Sequence, residues 1–248
     1  MGTVVTFDAF LLDEGGTDTN NESGLAEAVA DLHAMDRLFS TWRHDSPLSH
    51  LRRGDDGLAA MPSELHAVLL ACRRARTLSG GWFDPWKMPG GVDPTGYVKG
   101  WAAQRALTLF LRPTMLGAIV NAAGDVATYG APAPGQPFRI GVANPAAPTR
   151  LVSVVESPGA VATSGSYERG EHLVDPFSGE ALTRVASATV CGEDLGLCDA
   201  LATGLCVGGE AALSHIEDLD GYEGLLIRFD GALTWTTSFP FAGDHRPI

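Results

Sequence analysis

Apolar residues in the first half of the chain recur at helical spacing. The apolar positions from Leu25 to Phe39 lie three or four residues apart, which predicts an amphipathic helix with Ser23 as its N-cap. A second helix is predicted from about Pro62 to the Gly80-Gly81 stop, and a third from about Gly96 to Leu109. The chain from Ser40 to Ala60, between the first two helices, is predicted to be a polar connection.

Strand-like runs precede and follow this helical region. Val4 to Leu12 is apolar and β-branched, which predicts a strand before the polar loop from Asp13 to Glu22. After Met115, short β-rich runs are separated by Gly and Pro. These runs are Gly117–Asn121, Phe138–Val142, Arg150–Glu156, Ala160–Ser164, Ala186–Val190, Glu223–Arg228 and Leu233–Thr236. Helices are predicted among them only at Leu197–Cys206 and Glu210–Ile216. Because helices and strands are segregated along the chain, we expect an α+β fold with a largely antiparallel sheet.

Charge and length narrow the classes of function. The chain has 248 residues, with 17 Lys and Arg against 30 Asp and Glu, a net charge of −13. Nucleic acids and anionic membranes bind clustered basic residues, so neither is expected as a partner. A hydrophobic fraction of 45% is ordinary for a globular protein, and we expect residues 1–248 to form a single domain.

The apolar runs and the cysteines indicate the compartment. Since no run approaches 18 apolar residues, no stable membrane insertion is expected, and the first residues lack the features of a secretory signal. The four cysteines form no C-x-x-C pair, so we expect reduced, mostly buried thiols. Together these features predict a cytoplasmic protein.

Several common catalytic motifs are missing, and five Gly-, Asp- and aromatic-rich segments remain as candidates. The sequence contains no P-loop, no G-x-G-x-x-G between a strand and a helix, no G-x-S-x-G and no H-E-x-x-H. Gly81–Pro85 combines two aromatic residues with a carboxylate, although the aromatic residues could equally be core. Asn121–Val126 resembles a strand entering a Gly-Asp turn, and the alternative is a plain hairpin turn.

Two further segments place oxygen or charged groups on one helical face. Asp93, Gly96 and Lys99 are three residues apart at a helix start, where anions bind, although Asp93 as an N-cap and Lys99 as a surface residue would also explain them. Asp199 and Thr203 are four residues apart and offer hard oxygen ligands that suit Mg²⁺. The alternative there is an Asp N-cap and a Thr that bonds back to its own helix.

The last candidate is a histidine beside a turn. His172 leads a strand-like His-Leu-Val into Asp175-Pro176, an edge position suited to a general base. A lone histidine is also a common structural residue.

Taken jointly, these segments resemble the ApbE family of FAD:protein FMN transferases over nearly the whole chain. The segments that carry the resemblance are Met1–Thr3, Ser40–Trp42, Asp45–Ser46, Gly81–Asp84, Asp93–Gly100, Gly124–Asp125, Ala162–Gly165, His172–Pro176 and Asp199–Thr203. The resemblance implies a T-fold-like α+β architecture. It also implies an enzyme that cleaves FAD with Mg²⁺ and attaches FMN through a phosphoester to a Thr or Ser hydroxyl of an acceptor flavoprotein, with release of AMP.

The resemblance also assigns roles to residues. It implies that Mg²⁺ is held by Asp199, Thr203 and the main-chain carbonyl of Gly96, and that His172 accepts the proton of the acceptor hydroxyl. The residues that it implies for FAD contact are Met1, Trp42, Trp82, Phe83, Asp84, Asp93, Lys99 and Leu173.

This sequence departs from the family pattern at four places. Trp42 stands where Tyr is usual, and Ala123 replaces the first Gly of a usual Gly-Gly-Asp. Arg52-Arg53 occur where Asn is common, and the pattern does not explain them. Met1 is the first residue of the chain although the family's Met-Gly-Thr contacts flavin. Hydrolysis of FAD to FMN and AMP, or FAD binding without catalysis, remain alternatives to transfer.

Overall fold

A seven-stranded sheet covered by helices forms the centre of the computed structural model, which describes residues 3–12, 19–165, 173–181 and 183–243. The helices are α1 (Thr19–Phe39), α2 (Pro47–Arg53), α3 (Ser63–Leu78), α4 (Thr95–Phe110), α5 (Leu195–Gly208) and α6 (Glu210–Glu217). The strands are β1 (Val5–Leu11), β2 (Met115–Ala122), β3 (Asp125–Gly130), β4 (Arg139–Asn144), β5 (Ala147–Glu156), β6 (Ala160–Gly165), β7 (Ser187–Gly192), β8 (Glu223–Ile227) and β9 (Leu233–Trp235).

All neighbouring strands in the main sheet are antiparallel. Their order is β1-β2-β3-β6-β7-β8-β9. In the part of the chain that the structure describes, β4 pairs with β5 alone, in a separate hairpin. Because a strand exposes alternate side chains on opposite faces, each strand of the sheet can contribute to two different cores. The predicted α+β class with a largely antiparallel sheet is confirmed.

The larger core lies between the sheet and the helices α1, α4 and α5. Leu32, Val98 and Leu201 from these helices are buried, as are Val120 and Val190 from the sheet. At roughly 25 cal/mol per Å² of apolar surface removed from water, such burial is the main stabilising contribution to the fold. This core fixes α4 and α5, the two helices that carry most of the predicted site residues.

Helices α4 and α5 approach each other at two glycines. A Cβ at Gly100 would collide with the backbone of Leu195, and a Cβ at Gly196 would lie 2.8 Å from the Tyr97 ring. Side chains at these positions would separate the helices, so the glycines permit the close contact. The spacing between α4 and α5 thus depends on residues that contribute no side chain.

The β4–β5 hairpin covers the opposite face of the sheet. Val142 and Val155 of the hairpin pack with Val161, Cys191 and Leu225 of the main sheet in a second, smaller core. This hairpin contributes none of the residues that line the cavity described below.

Three details of the predicted elements are wrong. Helix α1 begins at Thr19, so Ser23 is inside the helix and is not its N-cap. The polar connection Ser40–Ala60 contains helix α2, which is capped by Ser46 and is too short to show a clear hydrophobic period. The segment after Asn121 contains a whole further strand, β3, which begins at Asp125.

The cysteines agree with the prediction of reduced thiols. Cys72, Cys191, Cys198 and Cys206 are buried, and none of them forms a disulfide. Within the described residues, no helix combines the length and the apolar character needed to cross a membrane.

Candidate active site

A cavity of about 400 Å³ opens between the first turn of α4, helix α5 and the segments that follow α1, α3 and β6. It falls in the size range typical of small-molecule sites. Ten of the twelve predicted site residues line it, and they are Trp42, Trp82, Phe83, Asp84, Asp93, Gly96, Lys99, Leu173, Asp199 and Thr203. The other two, Met1 and His172, lie outside the described residues. Residues that are distant in the sequence therefore meet around one cavity.

Asp199 and Thr203 lie on the face of α5 that borders the cavity. Helix α5 is capped by Asp194, whose carboxylate accepts a hydrogen bond from the Leu197 N–H at 3.0 Å. Asp199 is thus an interior helical residue, and the alternative that it is an N-cap is wrong. The Thr203 Oγ1 lies 3.4 Å from the Ser164 Oγ at the end of β6.

The first turn of α4 faces these two residues. The Gly100 N–H donates to Asp199 Oδ2 at 3.0 Å. In a regular α-helix that N–H bonds the carbonyl four residues earlier, which is the carbonyl of Gly96. A Cβ at Gly96 would lie 3.1 Å from Thr203 Oγ1, so Gly96 and Thr203 are in close proximity. The three predicted metal-binding residues therefore converge.

Beneath this group lies a carboxylate that was not among the predicted site residues. Asp125 is fully buried at the start of β3, where its Oδ2 lies 2.9 Å from Lys99 Nζ and its Oδ1 accepts from the Thr163 N–H at 3.3 Å. The Asp125 and Asp199 carboxyl groups also contact each other.

Burial and mutual repulsion govern the charges of these two carboxyl groups. Burial raises the pKa of Asp199 well above its usual range and the nearby Asp125 raises it further, while Lys99 and the Gly100 N–H oppose the shift. Burial also raises the pKa of Asp125, against the attraction of Lys99. Two carboxylates would share one ammonium group, which leaves surplus negative charge in a buried place.

This surplus charge and the chemistry of the donors suit a hard divalent cation. The candidate donors are the Asp199 carboxylate, the Thr203 hydroxyl and the Gly96 carbonyl, all of them oxygen atoms of the kind that Mg²⁺ binds. No group of three or more His, Cys, Asp or Glu side chains within the described ranges could hold a metal. A cation here would therefore depend on the hydroxyl, the backbone carbonyl and a bound phosphate as well as on the carboxylate.

Aromatic side chains form one wall of the cavity. Trp82 and Phe83 line it, and the Trp82 ring packs edge-to-face on the Phe177 ring at a centroid distance of 4.7 Å. The Arg184 guanidinium lies 5.8 Å from the Trp82 ring centre and forms an ion pair with the buried Asp175 at 2.9 Å. The wall is thus supported from behind by a cation and a second aromatic ring.

Two further acidic residues of the lining, Asp84 and Asp93, have partners within the protein. Asp84 Oδ1 accepts from the Trp86 N–H at 3.0 Å, and its Oδ2 pairs with Arg76 at 2.7 Å. Asp93 Oδ1 accepts from the Thr95 hydroxyl at 2.7 Å, and its Oδ2 lies 2.9 Å from Arg52 Nη1. Both residues fix the backbone around the cavity.

Arg52, which the sequence pattern did not explain, holds a segment beside the site. Besides the ion pair with Asp93, its guanidinium donates to the carbonyls of Val92 at 3.1 Å and Pro89 at 2.9 Å. It therefore joins α2 to the segment that leads into α4.

The outer edge of the cavity is exposed. Trp42 is 95% exposed, and it follows Ser40, whose carbonyl accepts from the Ser46 hydroxyl at 2.6 Å. The segment before α2 is thus held by hydrogen bonds while the Trp42 ring projects into solvent.

Sequence reasoning missed Asp125 and Arg52 as residues of this region. Gly124-Asp125 was among the segments that carried the family resemblance, so a signal for Asp125 was present. The plain hairpin turn is the correct geometry there, with Ala123 at φ 50° and Gly124 at φ 95°. A plain hairpin turn is compatible with a role of Asp125 near the site, because Asp125 is the residue that directly follows the turn.

Comparisons of the sequence with known proteins identify related proteins. The sequence profile of the ApbE family matches residues 1–89 and 86–226. A protein named FAD:protein FMN transferase from Vibrio cholerae is 32% identical over 130 residues, which are 48% of this chain and 39% of that protein. One of the same name from Rhodobacter capsulatus is 31% identical over 152 residues, 57% of this chain and 29% of that protein. The matched segments thus span less than half of either relative.

Solved structures show the same fold over nearly the whole chain. The flavin transferase ApbE from Vibrio cholerae superposes with a TM-score of 0.80 at 22% identity, covering 96% of this chain and 95% of that one. The ApbE protein from Thermotoga maritima gives a TM-score of 0.77 at 22% identity, with coverages of 95% and 93%. The predicted α+β ApbE architecture is confirmed by these two structures. Since the family profile also extends over most of the sequence, the chain belongs to the ApbE family.

Proposed function

We propose that this protein is a Mg²⁺-dependent FAD:protein FMN transferase. The observation that carries the proposal is the convergence of Gly96, Asp199 and Thr203, beside Lys99, at the base of an aromatic-walled cavity. Two relatives that match parts of the chain are named FAD:protein FMN transferases. A cavity with oxygen donors at one end and aromatic rings at the other has the polarity of a flavin nucleotide, which joins a pyrophosphate to planar rings.

Mg²⁺ fits the donors of this cavity. Asp199, Thr203 and the Gly96 carbonyl would hold the ion, and when bound it would neutralise charge on phosphate oxygens. Lys99 supplies a fixed positive charge in the same region, and the positive end of the α4 helix dipole lies at the cavity, where Thr95 and Gly96 line it. An acidic protein with a net charge of −13 can thus hold a pyrophosphate.

The aromatic wall orients the substrate. Trp82 and Phe83 offer apolar surface to the planar part of FAD, and Trp42 at the exposed edge can stack on a ring that extends outward. Asp84, Asp93 and Leu173 shape the lining between the wall and the metal-binding residues. These contacts hold the phosphorus where an incoming hydroxyl can reach it in line.

The transfer exchanges one phosphorus–oxygen bond for another. The oxygen of an acceptor Thr or Ser hydroxyl bonds to the phosphorus of the FMN half, and the bond from that phosphorus to the oxygen of AMP breaks. AMP leaves with that oxygen, and the hydroxyl proton passes to His172, the proposed base. His172 directly precedes Leu173, which lines the cavity.

The partners follow from this reaction. They are FAD and an acceptor flavoprotein that carries a Thr or Ser in a flavinylation motif, and the four free, buried cysteines favour an acceptor in the cytoplasm. Neither nucleic acid nor membrane insertion has a role in this proposal.

The decisive experiment supplies FAD, Mg²⁺ and an acceptor protein with a Thr- or Ser-containing motif. Transfer is expected to add the mass of FMN to the acceptor and to release AMP in equal amount, as measured by mass spectrometry and chromatography. Free FMN and AMP with an unmodified acceptor would establish FAD hydrolysis instead. Retention of intact FAD alone would identify a flavin-binding protein without catalysis.

Two histidine variants test whether His172 is the base or whether loss of any histidine impairs transfer. His172→Ala is expected to retain FAD binding while transfer falls by about 10²–10⁴-fold, the usual contribution of a general base. His33→Ala alters an exposed histidine on α1 and should leave transfer unchanged. Normal transfer by His172→Ala would remove His172 from the mechanism.

A further inference from the structure

Asp125 has no role in the proposed reaction, although it is the most enclosed charged residue near the site. Its side chain is fully buried, whereas the cavity lining does not include it. It therefore acts on a ligand in the cavity only through the residues that it contacts.

The hairpin between β2 and β3 determines where the Asp125 carboxylate lies. The left-handed turn residues Ala123 and Gly124 reverse the chain, and the Gly124 N–H donates to Asn121 Oδ1 at 2.8 Å. Asp125 pairs with Ala122 across the hairpin, and its carboxylate enters the interior below α4. A two-residue turn of this kind fixes the register of the hairpin, so the carboxylate has little freedom.

Lys99 is influenced by two carboxylates at once. Its Nζ lies 2.9 Å from Asp125 Oδ2. Asp199 lines the same cavity as Lys99, and its Oδ2 accepts a hydrogen bond from the N–H of Gly100, the residue that follows Lys99. Asp199 is the proposed metal-binding carboxylate. A lysine that paired fully with Asp199 would compete with a divalent cation for the same oxygen atoms, because both interactions are electrostatic and buried.

We infer that Asp125 is a positioning residue that holds Lys99 and thereby keeps Asp199 available for the cation. This inference rests on the proposed metal-dependent function. With Asp125 in place and both carboxyl groups ionised, the two carboxylates and the Lys99 ammonium sum to one negative charge, which attracts the cation. Without Asp125, the Lys99 ammonium and the Asp199 carboxylate neutralise each other.

A purely structural role for Asp125 makes a different prediction. If Asp125 served only to anchor the hairpin and α4, removal of Lys99 from an Asp125 variant would add further damage. If Asp125 instead restrains Lys99, removal of Lys99 would repair the site, because the competitor for Asp199 would be gone. A double-mutant cycle on the two residues therefore distinguishes the two roles.

The experiment measures binding of Mn²⁺ alone, by electron paramagnetic resonance, to the full chain and three variants. Asp125→Asn is expected to bind Mn²⁺ about 10–100-fold more weakly than the unsubstituted protein, the usual effect of removing a residue that orients a metal ligand. Lys99→Met should bind as well or better, since both carboxylates remain. The double variant Asp125→Asn/Lys99→Met should recover to within about threefold of the unsubstituted protein, since one net negative charge is restored.

Thermal unfolding in EDTA shows whether each variant is folded. The order of the four Mn²⁺ affinities then shows whether Asp125 restrains Lys99. A double variant that binds Mn²⁺ no better than Asp125→Asn would overturn it, as would unchanged binding by Asp125→Asn. Both results leave the proposed function intact as long as the unsubstituted protein binds Mn²⁺. Absence of binding by the unsubstituted protein would instead remove the metal site itself, and the inference with it.

Discussion

The two ends of the cavity are built in different ways. The charged floor, consisting of Gly96, Lys99, Asp199 and Thr203, lies on two helices that pack tightly through Gly100. The aromatic wall, consisting of Trp82 and Phe83, lies on a segment without regular structure between α3 and a 3₁₀ turn. The floor is thus carried by two packed helices, whereas the wall is carried by a loop whose Trp82 and Phe83 pack on α5 at Gly204 and Gly208.

This difference corresponds to the precision that the proposed reaction requires of each end. Metal coordination and phosphoryl transfer tolerate displacements of only a fraction of an ångström, and buried helices provide that rigidity. Stacking on a planar ring tolerates more variation, so a wall carried on a loop, with Trp82 packed against Phe177 and Arg184 as well as α5, is sufficient. We therefore expect substitutions in the floor to impair catalysis, and substitutions in the wall to impair binding.

The largest effect is expected from Asp199→Asn in the floor. The amide oxygen can still accept from the Gly100 N–H, but the charge that attracts the cation is lost. Transfer should fall by at least about a hundredfold, and the residual rate should no longer respond to EDTA. Asp220→Asn, an exposed carboxylate in a turn, is the matched control for the change of charge. An Asp199→Asn enzyme that EDTA still inhibits would refute the assignment of the metal ligand.

The next largest effect is expected from Gly100→Ala, which changes the spacing between α4 and α5. Gly100→Ala places a methyl group against the Leu195 backbone and should lower the free energy of unfolding by about 1–3 kcal/mol. Because the same residue donates to Asp199, transfer should fall more than FAD binding does. Gly57→Ala, where a Cβ meets open space, is the control. Thermal denaturation and rate measurements on both variants test this prediction. Equal stability of Gly100→Ala and Gly57→Ala would contradict it.

The wall should behave differently. Trp82→Ala removes a cavity-lining ring and is expected to weaken FAD binding by about 1–3 kcal/mol, which is about fivefold to 150-fold. The rate at saturating FAD should change much less. Trp86→Ala removes a nearby tryptophan that does not line the cavity, and it should leave affinity unchanged. Titration of flavin fluorescence measures both, and a purely catalytic defect in Trp82→Ala would erase the distinction between floor and wall.

The residues of the floor could be predicted from the sequence better than the contacts that hold them in place. The spacing of Asp199 and Thr203 places them on one helical face regardless of the rest of the fold, so local periodicity was sufficient. The contact between Lys99 and Asp125 joins a helix to a strand 26 residues further along the chain, and no local pattern encodes such a pairing. Helix α2 was missed because its seven residues span only two turns. His172 and Met1 remain predictions from the family resemblance.

Arg52 offers a test of how the edge of the floor is positioned. Arg52→Met removes the ion pair with Asp93 and two hydrogen bonds to the segment before α4. We expect the KM for FAD to rise about fivefold to tenfold, in line with the loss of about 1–1.5 kcal/mol from partly buried hydrogen bonds, with a smaller change in kcat. The adjacent Arg53 pairs with the exposed Asp55, so Arg53→Met is a control that should have no effect. If Arg52→Met and Arg53→Met have the same KM for FAD, the contact between Arg52 and Asp93 does not contribute to FAD binding.

The smallest effect is expected at the exposed edge of the cavity, at Trp42. A ring that is 95% exposed has no protein packing to lose, so Trp42→Ala should not change the free energy of unfolding. Stacking on one side in open solvent gives little affinity, and FAD should bind only about threefold more weakly. Trp42→Tyr should retain that affinity, since an aromatic face remains. Fluorescence titration of both variants beside Trp82→Ala compares the affinity for FAD at the supported wall and at the exposed edge. A loss of affinity in Trp42→Ala as large as that in Trp82→Ala would show that the edge closes over the flavin.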